Sequence, residues 1–175
     1  MSGVSPKIRR ITPGEYRLLR EFLYQAIYLP QGVDPPPRSV VDLPELQVYL
    51  ADFGTQPGDY CLVADLCGRV IGAVWSRIME DYGHLGDGIP SLAISLLPEY
   101  RGRGIGTQLL HRLLALLREN GFSRVSLSVQ KENPALQLYL RAGFRIAAHR
   151  GNEYLMLWEL EHEKRQRILD ARATE

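Results

Sequence analysis

The chain has 175 residues, 45% of them hydrophobic and 23% charged, with a formal net charge of +1. That is the size of one domain with a core of its own. The near-neutral balance argues against a dedicated nucleic-acid binder, which carries a strongly basic face. No apolar run reaches the roughly 20 residues that span a bilayer, and residues 1–11 lack the apolar centre of a signal peptide. The expectation is a cytoplasmic protein with no membrane and no nucleic-acid partner. Cys61 and Cys67 have no His or Cys neighbours at ligand spacing, so they read as buried or half-buried thiols, without metal and without a disulfide framework.

In chain order, residues 7–12 predict a first strand. Pro13 then opens a helix to about residue 28, with Tyr16, Leu19, Leu23 and Ile27 at helical spacing. Residues 30–37 are rich in proline and suit neither a helix nor a central strand. Too little chain precedes them for a separate core, so they read as an insertion loop. A short helix is predicted over 44–53. Residues 60–66 and 70–79 predict an antiparallel hairpin around Cys67-Gly68-Arg69. The polar stretch 80–90, with Gly83, Gly86 and Gly88, predicts a flexible loop, and 92–97 a strand stopped by Pro98.

Helix signals run from 104 to 120, with Ile105, Leu109, Leu113 and Leu117 on one face and Gly121 just past the end. Val125, Leu127 and Val129 alternate with polar residues in a further strand. Asn133-Pro134 starts a helix that ends at Gly143. Residues 144–149 and 154–160 close the sheet as a hairpin around Gly151-Asn152, and the charged tail 161–175 carries i,i+4 pairs such as Glu161–Arg165. The predicted order is β-α-α-β-β-β-α-β-α-β-β. It makes residues 1–160 one α/β domain whose mixed, mostly antiparallel sheet of six to seven strands bears helices on both faces.

One loop carries chemistry. Pro98-Glu99-Tyr100-Arg101-Gly102-Arg103-Gly104-Ile105-Gly106-Thr107 joins a strand to a strongly amphipathic helix. Its glycines let the main chain approach an anion closely, and the helix start supplies free N–H groups and positive dipole. No Gly-Lys-Ser/Thr follows, so it is not a P-loop, and a third glycine is missing for the dinucleotide fingerprint.

Arg101-x-x-Gly104-x-Gly106 after a strand and a proline resembles the coenzyme A-binding motif of the GNAT superfamily of N-acetyltransferases. Downstream, Asn133-Pro134-Ala135-Leu136-Gln137-Leu138-Tyr139-Leu140-Arg141-Ala142-Gly143-Phe144 resembles that family's Asn…Ala…Leu-Tyr…Gly-Phe signature. One residue separates Asn133 from Ala135 where many members have two. The resemblance implies that the strand before the loop carries a bulge and splays from its neighbour into a V-shaped cleft lined by Ile94, Leu96 and Leu97. The Leu96 main chain would bond the pantetheine and help polarise the thioester carbonyl. Arg101, Gly102, Arg103, Gly104, Ile105, Gly106 and Thr107 would hold the diphosphate, with Asn133 and Tyr139 also contacting the coenzyme.

Tyr139 would donate a proton to the departing thiolate; on its position alone such a Tyr is usually a core aromatic whose hydroxyl has found a partner. Relatives often carry a Glu near the start of the fourth strand, where this chain has Ser91. Glu80, Asp81, His84 and Asp87 are alternative bases, as is a water chain ending at Ser91. The implied function is direct acetyl transfer from acetyl-coenzyme A to an amine, without metal. The acceptor is a small cationic amine, favoured by the acidic 80–87 loop, or a peptide or protein amine. A non-catalytic coenzyme A sensor is the alternative. A homodimer is compatible with the sequence.

Overall fold

The computed structural model describes residues 5–160. Seven strands form one sheet: β1 (Lys7–Arg10), β2 (Tyr60–Leu66), β3 (Arg69–Arg77), β4 (Ser91–Leu96), β5 (Arg124–Gln130), β6 (Arg145–Arg150) and β7 (Glu153–Glu159), in the spatial order β1-β2-β3-β4-β5-β7-β6. Only β4 and β5 run parallel. The helices are α1 (Leu19–Ala26), α2 (Pro44–Gln47), α3 (Ile105–Glu119) and α4 (Ala135–Arg141). This is the mixed, mostly antiparallel α/β sheet that the sequence predicts.

Strand alternation sorts the core into two layers. On one face Leu92 and Leu96 of β4 and Val125, Leu127 and Val129 of β5 meet Leu109, Leu110, Leu113 and Leu117 of α3, together with Tyr139 of α4. On the other face Cys61, Val63, Ala73 and Trp75 meet Leu19, Phe22 and Leu23 of α1, with Val41, Tyr49 and Phe53 from the segment around α2. Each fully buried leucine contributes about 2 kcal/mol of transfer free energy, so both helical layers are firmly held to the sheet.

Three departures from the predicted elements have local causes. The single helix expected over 13–28 is a 3-10 segment (Pro13–Leu18) followed by α1. A capping box between Thr12 and Glu15 tightens its first turn, and Ile27 is already extended ahead of Pro30. The helix expected over 44–53 stops at Gln47. Beyond it, the Arg77 guanidinium donates to the carbonyl oxygens of Val48 (3.1 Å), Ala51 (2.5 Å) and Asp52 (3.4 Å) and draws the chain into turns. Arg77 also pairs with Asp59 at 3.0 Å, and both side chains are almost fully buried. Cys61 is buried as expected, but Cys67 is exposed, because it occupies the turn of the β2–β3 hairpin at φ 53°. The charged tail 161–175 lies outside the described residues.

Candidate active site

The centre of the sheet is split. β4 and β5 share one register pair, Ser91 with Ser126, supported by the Ser126 amide donating to Pro90 O at 3.0 Å. Beyond that rung they diverge. The Leu97 amide donates to Ile71 O at 2.9 Å. Antiparallel pairing alternates, so Ser95, Ala93 and Ser91 bond to β3 as well, while the amides of Leu92, Ile94 and Leu96 point toward β5. Past the Ser91 rung no strand among the described residues meets those of Ile94 and Leu96. The expected V-shaped opening is therefore lined with main-chain donors. The expected bulge is absent from β4, whose register with β3 is unbroken; the irregularity lies between β2 and β3, beside Ala64 and Asp65. Gly72 faces Leu96, and a Cβ there would come within 2.1 Å of the leucine Cδ2, so a larger residue would push that side chain aside.

The V opens into a cleft of about 850 Å³. Its floor is the loop from Pro98 to Thr107. Gly102 and Gly104 adopt φ of 71° and 77°, and a Cβ added to either would meet nothing within 4 Å. Both glycines thus face open space at the start of α3, where unpaired amides and the helix dipole favour an anion. Arg101 braces the loop: its Nε donates to Leu96 O at 3.1 Å, and its Nη2 to Gln25 O and Gln25 Oε1 at 3.2 and 3.1 Å. Arg103 lies by the Tyr100 ring at 5.6 Å.

The opposite wall is α4. Asn133 Oδ1 accepts the Ala135 amide at 2.9 Å and fixes the helix start. Tyr139 is 7% exposed and packs edge-on against Phe144 at 5.9 Å. Its hydroxyl makes no hydrogen bond among the described residues, yet it lines the cleft together with Ile94 and Leu96. Burial pushes this phenol upward, so it holds its proton across the neutral range.

At the closed end of the V lies a second cluster. Asp81 Oδ1 accepts the Ser91 hydroxyl and Asp81 Oδ2 the Tyr49 hydroxyl, each at 2.7 Å. The Ser91 and Ser126 hydroxyls are 3.1 Å apart. Burial, and next the Asp81 carboxylate, push the Tyr49 phenol upward, so it remains a donor. Gly83 lets the 80–90 segment reach this place: a Cβ there would be 3.0 Å from the main chain of Leu127 and Ser128. Of the other base candidates, Glu80 and Asp87 are exposed, and His84 Nδ1 lies 3.1 Å from Met79 O.

Of the coenzyme residues implied by resemblance, the cleft gathers Ile94, Leu96, Arg101, Gly102, Gly104, Gly106, Thr107, Asn133 and Tyr139. Leu97 instead packs with the α1 layer, and Ile105 is buried under α3. Neither they nor Arg103 line the cleft. The sequence reading missed Arg141, which lines it, and the wall formed by Tyr24, Tyr28, Pro35 and Pro36. Tyr24 is held there by a 2.7 Å bond to Pro36 O, and Tyr28 reaches across to Glu132 O at 3.1 Å. Nothing local marks those residues, because the chain brings them in from far away. Arg141 stands inside the Asn133–Phe144 motif, but two residues past Tyr139 is the far side of a helix, so spacing alone did not point to it.

The model of the acetyltransferase (GNAT) family matches residues 23–144. An uncharacterized N-acetyltransferase of Mycobacterium bovis is 31% identical over 131 residues, 70% of this chain and 81% of that protein. A mycothiol acetyltransferase of Thermobifida fusca is 32% identical over 118 residues, 65% of this chain. The chain spans about a third of the length of the mycothiol acetyltransferases it matches. Among solved structures, the PaiA N-acetyltransferase of Thermoplasma acidophilum in complex with coenzyme A aligns with a TM-score of 0.67 at 19% identity, over 89% of this chain and 99% of that one. AAC(6')-Ib in complex with ribostamycin and coenzyme A aligns at 0.65 and 20% identity, over 94% and 98%. At these identities the structures speak for the fold alone.

Proposed function

This chain belongs to the GNAT acetyltransferase family, and from that premise we propose that it moves an acetyl group from acetyl-coenzyme A to a primary amine by direct attack. Acetyl-coenzyme A supplies the activated acetyl group. The open space above Gly102 and Gly104 fits a diphosphate against the α3 amides, with Arg141 as a further cation at the cleft. The Ile94 and Leu96 amides donate to the pantetheine arm and to the thioester carbonyl as charge builds on its oxygen. Tyr139 donates to the sulfur as the C–S bond breaks. The acceptor is a small cationic amine, in keeping with the acidic 80–87 segment, or a peptide or protein amine.

One observation carries this reading: among the described residues the Tyr139 hydroxyl has no hydrogen-bond partner, and Tyr139 lines one cleft with Ile94 and Leu96, whose amides have no described strand beside them. A core tyrosine ordinarily finds a partner for its hydroxyl. The test is a thiol-release assay with acetyl-coenzyme A over a panel of diamines, aminoglycosides and peptides. Wild type should turn over at least one class. Tyr139→Phe, which keeps the ring against Phe144, should lose roughly tenfold or more in kcat, at or just below the general-acid range of about 10²–10⁴, with coenzyme affinity unchanged. Binding of acetyl-coenzyme A without turnover of any amine would instead support the sensor.

A further inference from the structure

We infer that Asp81 is the group that binds the acceptor's ammonium and takes its proton, and that Ser91 and Tyr49 position it. The inference rests on the acetyltransferase reading and supplies what Ser91 cannot, since an unassisted serine hydroxyl is no base at neutral pH.

Three features of the site converge on this role. The Asp81 carboxylate accepts one hydroxyl on each oxygen, from Ser91 and from Tyr49. A carboxylate offers about four lone-pair sites, so each oxygen keeps one free. Asp81 has no ion pair among the described residues. A half-buried anion held by neutral donors has its countercharge still to come, and a substrate ammonium provides it.

The second feature is position. Ser91 is the last rung joining β4 to β5, and the Ile94 amide is the first beyond it that faces the gap. Three residues of strand span about 10 Å. That is the combined reach of a hydrogen bond from the amide to a carbonyl oxygen, an attack distance, and a hydrogen bond from nitrogen to carboxylate, each about 3 Å.

The third is sidedness. Tyr139 belongs to the α3 layer and Tyr49 to the α1 layer, so proton acceptor and proton donor stand on opposite faces of the split sheet. An amine can then approach from one face while the thiolate leaves by the other.

The step balances. The ammonium gives a proton to Asp81, and the free amine forms the C–N bond as the C–S bond breaks. The sulfur takes a proton from Tyr139, whose phenol is refilled from the second nitrogen proton through solvent. Ammonium and thioester become amide and thiol, and Asp81 releases one proton to water.

The test is kcat/KM against pH from 7 to 10 for wild type, Asp81→Asn and Asp81→Glu, with acetyl-coenzyme A affinity and Tm measured alongside. The charged or titratable groups around Asp81 are Tyr49 from the α2 side, Tyr82 and His84 on its own loop, Arg150 beside Tyr82 O, and Glu153 on β7. None of them is altered in these variants. An alkylamine with pKa near ~10 is about 0.1% free base at pH 7 but half free at pH 10. Asp81→Asn should therefore fall about 100-fold at pH 7 and less than about fivefold at pH 10, where solvent has removed the proton already. Asp81→Glu should recover part of the loss at pH 7, and coenzyme affinity should stay within about twofold.

A deficit in Asp81→Asn that is equal at every pH, or absent at pH 7, overturns the inference while leaving the acetyltransferase reading in place. A wild-type protein that binds acetyl-coenzyme A and acetylates no amine overturns both. Should Asp81→Asn fold poorly, Ser91→Ala gives the second reading: it should show a smaller loss with the same pH trend, and a flat trend overturns the positioning role.

Discussion

On the α3 side of the split strands the cleft is walled by main chain from one continuous stretch, residues 94 to 107, closed by the short helix that carries Tyr139. At the closed end of the V, on the α1 side, stands a cluster of side chains that lies outside the lining of that cleft. Tyr49, Asp81, Ser91 and Ser126 come from four separate segments; Ser91 and Ser126 are partners across β4 and β5, and hydroxyl and carboxylate contacts join the rest. The difference teaches what each half can recognise. Main-chain amides with a helix dipole bind an anionic group whatever the neighbouring side chains are, so that half suits an invariant cosubstrate. A side-chain cluster changes its ligand when one residue changes, so in the proposed function this half would set acceptor specificity.

The largest effect that would test this contrast is on stability, and it belongs to the acceptor half. Arg77 pairs with Ser91 across β3 and β4. Its guanidinium holds the Val48 and Ala51 carbonyls and the Asp59 carboxylate, and thereby the turn that carries Tyr49. Arg77→Met should destabilise the protein by about 3–5 kcal/mol, because it leaves a buried carboxylate unpaired. Denaturant unfolding measures it. Adding Asp59→Asn should recover part of that loss by removing the charge. A loss below about 1 kcal/mol in the single variant would mean that the α1-side cluster does not depend on this pair.

The cradle half should respond in affinity more than in stability. Gly104 sits at φ 77° with open space where a side chain would project. Gly104→Val puts a branched group into that space, so acetyl-coenzyme A affinity should fall at least tenfold, about 1.4 kcal/mol. The left-handed conformation adds roughly 1–2 kcal/mol of strain, which the fold should tolerate at a helix entry. Calorimetry on folded variant decides it. Unchanged affinity would move the diphosphate elsewhere in the cleft.

The same contrast explains what was legible in the sequence. That Gly102, Gly104, Gly106 and Tyr139 share one cleft was readable because a short motif on consecutive elements contains that information. The sheet was readable for a similar reason: alternation in Val125, Leu127 and Val129 and helical spacing in Leu109, Leu113 and Leu117 are local signals. Asp81 stood level with Glu80, His84 and Asp87, because only the folded chain puts it, alone among the four, against Ser91 and Tyr49. The end of α2 was misjudged for the same cause, since Arg77 lies far along the chain from the carbonyls it captures. Leu97 turns its side chain to the α1 layer, as its reading as sheet core expects, while the coenzyme contacts implied for this strand are main-chain.

The smallest expected effect lies at Gly83, two residues from Asp81 and packed against β5. The sequence reads this glycine as a source of loop flexibility, but its φ is ordinary and its role is close approach. A Cβ would stand 3.0 Å from the main chain of Leu127 and Ser128, and a strand paired with β7 along its other edge cannot retreat. The loop must give way instead, by a few tenths of an ångström, and Asp81 moves with it. A misplacement of about 1 Å can remove roughly 10² in rate, so Gly83→Ala should lower kcat/KM about three- to tenfold. Acetyl-coenzyme A affinity should not change, because the cradle shares no contact with Gly83. The pH trend should resemble a weak form of Asp81→Asn, with the deficit shrinking toward pH 10 as the amine loses its proton unaided. An unchanged kcat/KM would show that the loop adjusts without disturbing Asp81. Equal losses in coenzyme affinity and turnover would show that the two halves are not independent.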